Sequence, residues 1–169
     1  MFTLRRSADS RSINQNPDSV LGFLPLLLTG TIWQSEAALP PDSFLTRTFL
    51  STPDVFHTEP EVLFTNRPQH IDLFVEFPKK DLESVRLYFQ TDSMIVWQEI
   101  HLRYFRGRYR YLFDPNIIPG TKLEYFFVVT LKNFSIYAEP LDEMGMLSPI
   151  KKPFLDPVKY YKAKLKSRQ

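Results

Sequence analysis

Three histidines, His57, His70 and His101, are the only imidazoles in a chain of 169 residues. A histidine does metal or proton chemistry when other groups converge on it. No pair here has the spacing of a metal-binding helix or a zinc knuckle. The chain has no Cys, which excludes a thiolate nucleophile, a disulfide framework and a Cys-ligated zinc. His70 and His101 fall in strand-like runs and His57 in a linker-like one, so all three read as surface groups. With only 5 Gly, the chain carries neither a dinucleotide fingerprint nor a P-loop, and it has no nucleophile elbow. Glu76, Glu99 and Glu124 are carboxylates of the kind that hydrolyse glycosides, but their spacing sets no separation between them. They read as solvated strand faces. The expectation is a protein with no catalytic residue, no metal and no cofactor: a binding protein and not an enzyme.

The stretch with usable chemistry is "HLRYFRGRYRY", residues 101–111. It interleaves Arg103, Arg106, Arg108 and Arg110 with Tyr104, Phe105, Tyr109 and Tyr111. Such mixing binds single-stranded nucleic acid through phosphate contacts and base stacking; it also suits acidic glycans or another protein. A net charge of +2 lacks the concentrated basic face that nucleic acid requires, so that partner is not expected. Period-two alternation also gives a plain structural reading, a hairpin with its aromatics in the core and its arginines in solvent. As a binding surface the candidates are Arg103, Tyr104, Arg106, Arg108 and Arg110, together with Trp97.

The elements that must position these residues are strands. Aromatics make up 15% of the chain, with 14 Pro and few Gly, a balance that favours strands over helices. "HIDLFVEF" puts Ile71, Leu73, Val75 and Phe77 on one face and His70, Asp72 and Glu76 on the other, with Phe74 as the exception. "SVRLYFQ" turns Val85, Leu87 and Phe89 inward and Arg86, Tyr88 and Gln90 outward. "MIVWQEIHL" is less regular and reads as a bulged or edge strand. Gly107 suits a hairpin, after which Tyr109, Tyr111 and Phe113 share a face. "KLEYFFVVT" is apolar on both sides, Leu123, Tyr125, Phe127 and Val129 against Phe126 and Val128, which predicts a central strand covered from outside. Lys132-Asn133 offers a turn, since Asn tolerates left-handed backbone, and "FSIYAEP" is read as the last strand. About seven short strands separated by turns predict an all-β, antiparallel sandwich of immunoglobulin type; a five- or six-stranded barrel is the structural alternative.

Val85, Leu87, Trp97, Gly107, Tyr109, Pro119, Gly120, Leu123, Glu124, Tyr125 and Pro140 together resemble the pattern of immunoglobulin-like, early-set sandwich domains of exported bacterial proteins. Those domains often read a Val-x-Leu-x-Tyr strand, a Trp-bearing strand, a Gly-x-Tyr hairpin, a Pro-Gly turn, a Leu-Glu-Tyr-Tyr strand and a closing Pro. The resemblance covers Pro60 to Pro140. It departs at "LKNF", where those domains have an Asp-x-x-Gly turn. It implies surface recognition, and because the early-set class includes glycogen-binding modules it also implies a carbohydrate-binding alternative.

The ends of the chain complete the division. "SVLGFLPLLLTGTIWQSEAALPP", Ser19 to Pro41, has basic residues before it, an apolar run too short to span a bilayer, and small residues at Ser35 and Ala37. It reads as a signal over residues 1–37, with an uncleaved anchor or a core segment as alternatives. Residues 38–59 read as a Pro-containing linker, 60–147 as the sandwich, and 148–169 as a basic tail. In the tail, Val158, Tyr161 and Leu165 share a face of a short C-terminal helix, and every charge after Asp156 is positive. Such an end suits an anionic membrane surface. Export to the periplasm or cell surface, with an envelope protein or a glycan as partner, is the resulting expectation.

Overall fold

A computed structural model describes residues 41–167. The expected signal over residues 1–37 lies outside the described residues. The described chain forms two β-sheets packed face to face, an all-β sandwich. In chain order its elements are α1 (Asp42–Leu45), β1 (Val55–His57), β2 (Leu63–Phe64), β3 (Gln69–Val75), β4 (Leu82–Thr91), β5 (Gln98–His101), β6 (Arg103–Phe105), β7 (Arg108–Phe113), β8 (Lys122–Leu131), β9 (Ile136–Glu139), β10 (Ile150–Leu155) and α2 (Pro157–Lys166). The first sheet runs β1-β3-β7-β6; the second runs β2-β10-β8-β4-β5, with β9 also on β8. All pairings are antiparallel except β2 with β10.

The inward faces follow the alternation of the sequence. Ile71 and Leu73 of β3, Val85, Leu87 and Phe89 of β4, Tyr109 and Phe113 of β7, and Leu123, Tyr125, Phe127 and Val129 of β8 form one buried cluster between the sheets. Each fully buried Leu or Phe contributes about 1.5–3 kcal/mol relative to exposure, so this layer holds the sheets together. Strand β8 is central and pairs with β4, β9 and β10. Its other face is buried as well. Phe126 stacks on Tyr88 at 5.0 Å and meets Trp97 edge-on at 5.0 Å. Around them lie Phe44, Val128, Ala138 and Leu147. The outer cover expected from "KLEYFFVVT" is therefore real. It comes from the segment around α1 and the loop before β10, tied by Phe49 N donating to Gly145 O at 2.8 Å. Gly145 has φ 76°, and a Cβ there would lie 2.9 Å from Phe49 O, so this seam admits only glycine without movement.

The run read as one irregular strand splits for a topological reason, with Trp97 just before β5 and outside it. β5 is the edge of the second sheet, and Leu102 N still donates to Val85 O of β4 at 2.8 Å. From Arg103 onward the same run pairs with β7 in the first sheet. The chain thus turns a corner between sheets within one residue. The β6–β7 hairpin closes with Arg106 at φ 47° and Gly107 at φ 89°, two successive left-handed residues that match the twist of tight hairpins.

The sheets extend beyond the boundaries expected from the sequence. Among the described residues the sandwich contains ten strands where about seven were expected. The presumed linker 38–59 supplies α1, which buries Phe44, and β1, which buries Val55 against the core. The presumed tail 148–169 supplies β10, which pairs with both β8 and β2. "FSIYAEP" is therefore not the last strand. These strands have two to six residues, too few to display a period. At the turn after β8, Phe134 and not Asn133 takes the positive φ, 66°. Asn133 instead accepts Ser135 N at its side-chain oxygen, 3.0 Å.

Candidate interaction surface

The outward face of the first sheet collects most of the predicted residues. Arg103 of β6 pairs in register with Arg110 of β7, and Phe105 with Arg108; Asp72 of β3 pairs with Arg110, and Phe56 of β1 with Phe74 of β3. Residues directly opposite in a ladder share a face. A row of Phe56, Phe74, Arg108 and Phe105 therefore crosses the sheet, beside a row of Asp72, Arg110 and Arg103. Phe56 and Phe74 stack at 4.9 Å and 6°. The Arg108 guanidinium lies 5.3 Å from the Phe74 ring, and those of Arg106 and Arg110 lie 5.2 and 5.7 Å from the Phe105 ring. Guanidinium ions are held over aromatic faces by the ring quadrupole.

Asp72 sets the charge of this face. Arg110 grips it with two hydrogen bonds, Nε to Oδ1 at 2.6 Å and Nη2 to Oδ2 at 2.8 Å, and Arg108 Nη1 adds a third to Oδ2 at 3.1 Å. The Arg110 hydrogen bonds, then those of Arg108, hold the Asp72 carboxyl below the ordinary carboxylate range against the opposing effect of burial. One carboxylate thus fixes two arginines in place. Arg103, directly across from Arg110, has no carboxylate within ion-pair distance among the described residues. The face keeps surplus positive charge beside exposed apolar area: Phe56 is 40% exposed, Phe105 47% and Leu112 52%.

The remaining predicted residues lie elsewhere. Tyr104 pairs with Tyr109 on the opposite side of β6, at the rim of the core, with Lys79 Nζ 3.4 Å from its ring centre. Trp97 lies just before β5 and packs on Phe126 of the second sheet. Five residues outside the predicted set belong to the site: Asp72, Phe56, Phe74, Phe105 and Leu112. The signal for Phe74 was present, as the one apolar residue breaking the polar side of "HIDLFVEF". Nothing local marks Phe56.

A second, polar site lies where the ends of β1, β9 and β10 converge. It is an open cleft of about 380 Å³ lined by His57, Glu59, Glu139, Ser148 and Lys151 among others. His57 Nδ1–H donates to Asp72 O at 2.5 Å, because a carbonyl can only accept. Nε2 therefore accepts from the Tyr125 hydroxyl at 2.9 Å. Burial lowers the His57 pKa, outweighing the Asp72 carbonyl and the nearby carboxylates that act to raise it, and burial raises that of the Tyr125 hydroxyl. Glu59 pairs with Lys152 at 3.3 Å and Lys151 with Glu124 at 3.4 Å. Burial also raises the Glu139 pKa. Both imidazole nitrogens are engaged with the protein itself, so His57 bridges the two sheets. No family model matches the chain, and none of the curated proteins compared with it matches.

Proposed function

We propose that this protein is a non-enzymatic binding or assembly module of the cell envelope, exported by way of Ser19–Pro41, and that it recognises a protein partner through the outward face of β1-β3-β7-β6. The observation that carries the reading is a contrast between the two outer faces. On the second sheet the outer aromatics are covered by the protein's own segments around Phe44 and Leu147. On the first sheet Phe56, Phe105 and Leu112 stay exposed among arginines already ordered by Asp72. Exposed apolar area rimmed by polar groups marks an interaction site, and Arg and aromatic residues are the types that anchor protein interfaces. Ordering before binding lowers the entropy lost on association. The short edge strand β6 adds unpaired backbone groups beside the same face.

The glycogen-type alternative draws on flat aromatic faces that stack sugar rings. Trp97, its first candidate, is packed against Phe126, and Phe56 and Phe74 each have one ring face occupied by the other. A protein partner therefore has the stronger support. The test is affinity capture from envelope fractions with the full chain and with Phe105→Ser/Arg103→Glu, alongside retardation in gels containing glycogen or acidic polysaccharide. A partner retained by the parent and lost by the variant is expected, with no retardation. Retardation that Phe105→Ser abolishes would replace the protein reading by the glycan one. Identical capture by both proteins would remove this face from consideration.

A further inference from the structure

The C-terminal helix presents a second surface, built differently from the first. Asp156 caps α2, with Oδ1 accepting Val158 N at 2.8 Å and Lys159 N at 3.3 Å, and Pro157 occupies the first helical position. The helix is seated on the sandwich through Phe64, whose ring lies 5.5 Å from Tyr160 and 5.7 Å from Tyr161. Glu61 also accepts from the Tyr160 hydroxyl at 3.2 Å and pairs with Lys164 at 3.7 Å. What remains outward forms two stripes, each at i, i+3, i+7. Val158, Tyr161 and Leu165 are 58, 50 and 65% exposed. Lys159, Lys162 and Lys166, each one residue further on, have no carboxylate within ion-pair distance among the described residues.

Charge along the chain is strongly divided. Residues 157–169 carry five basic residues and no acidic one, so with a formal net charge of +2 the rest of the chain carries −3. Among the described residues no helix is long and apolar enough to cross a membrane, and α2 has 10 residues. The geometry points to α2 lying flat on an anionic lipid surface, with Val158 and Leu165 in the acyl boundary and the three lysines at the head groups. The adjoining aliphatic stripe favours lipid over a nucleic acid or another polyanion. Lysines alone would serve a phosphate backbone, whereas exposed Val and Leu gain nothing from one. Because the helix is already capped and seated, little ordering has to accompany binding.

The full chain with the single substitution Val158→Cys takes one environment-sensitive fluorophore, since it has no other cysteine. That probe reports the helix alone, whatever the apolar Ser19–Pro41 stretch does at a bilayer. On phosphatidylcholine vesicles containing phosphatidylglycerol the probe emission should shift to the blue, with no shift on phosphatidylcholine alone. In the labelled protein, Lys159→Gln/Lys162→Gln/Lys166→Gln should weaken the partition by roughly fivefold per lysine, about a hundredfold in all. All three positions are exposed, so an unchanged thermal midpoint verifies the fold. No blue shift on the anionic vesicles would overturn the inference, as would a triple variant that partitions like its parent. In an unlabelled comparison, Leu165→Ser should reduce vesicle binding and leave heparin binding unchanged. Equal binding to vesicles and heparin, insensitive to Leu165→Ser, would assign the helix to polyanions in general.

Discussion

His57 makes the stability of the sandwich depend on pH in a window where few side chains titrate. Its folded-state pKa lies below the ordinary imidazole value of 6.5, chiefly through burial, while the unfolded chain titrates near that value. As pH falls below about 6.5 the unfolded state takes a proton that the folded state refuses. Stability is thus complete above that pH and is lost as pH falls towards the folded pKa, below which this contribution levels off. One proton of difference corresponds to at most about 1.4 kcal/mol per pH unit. For a domain of this size that is about 3–6 °C in the midpoint per pH unit. Glu139 acts in the opposite sense. Its folded pKa is raised by burial above 4.5, so it adds stability as pH falls through the folded value. The measurement is therefore a difference: urea unfolding of the parent and of His57→Gln between pH 7.5 and pH 5. The variant should be less stable at the upper end by about 1–3 kcal/mol, because the buried Tyr125 hydroxyl loses its acceptor. Its stability should also fall less steeply on acidification, so the two curves converge. Parallel curves would refute the neutral, bridging imidazole.

Three further outcomes follow from the packing. Asp72→Asn leaves Arg108 and Arg110 without their shared carboxylate and beside Arg103; a loss of about 1–2 kcal/mol, discounted for the partial exposure of Arg108, should appear as a lower urea midpoint and grow at low salt. Gly145→Ala, at φ 76° and against Phe49 O, should cost about 1–2 kcal/mol and lower the thermal midpoint. Phe126→Ala removes the ring on which Tyr88, Trp97 and Phe44 pack; about 3–5 kcal/mol should be lost by denaturant titration, equal to a core deletion although the residue faces away from the sheet interface.

The inward residues were legible because alternation survives in strands long enough to show it. Leu123, Tyr125, Phe127 and Val129 followed from β8 alone, and so did the covering layer over Phe126 and Val128. Legibility failed where an element was too short or its pairing too distant. β1 has three residues, and Val55 finds its place only opposite Val75. Residues 150–155 were recognisably extended, but Pro153 concealed a strand, since a proline removes a ladder donor; it is the last residue paired with β8, opposite Lys122. His57 read as a surface group because its partners, Asp72 and Tyr125, lie 15 and 68 residues away. The arginines of the candidate surface were visible in "RYFRGRYR". The carboxylate that orders them, on a different strand, was visible only as an ordinary polar position.

The parallel pairing of β2 with β10 gives the protein a timetable. Leu63 is placed beside Phe154, so a strand made early waits for one made 91 residues later. During synthesis β4, β8 and β9 can pair as soon as they have left the ribosome, but the Lys122–Tyr125 part of the β8 edge stays open until Ile150–Leu155 arrives. A nascent chain stopped anywhere between presents an apolar, unpaired strand edge to its neighbours. Fragments ending before residue 150 should therefore collect in aggregates instead of as smaller folded domains.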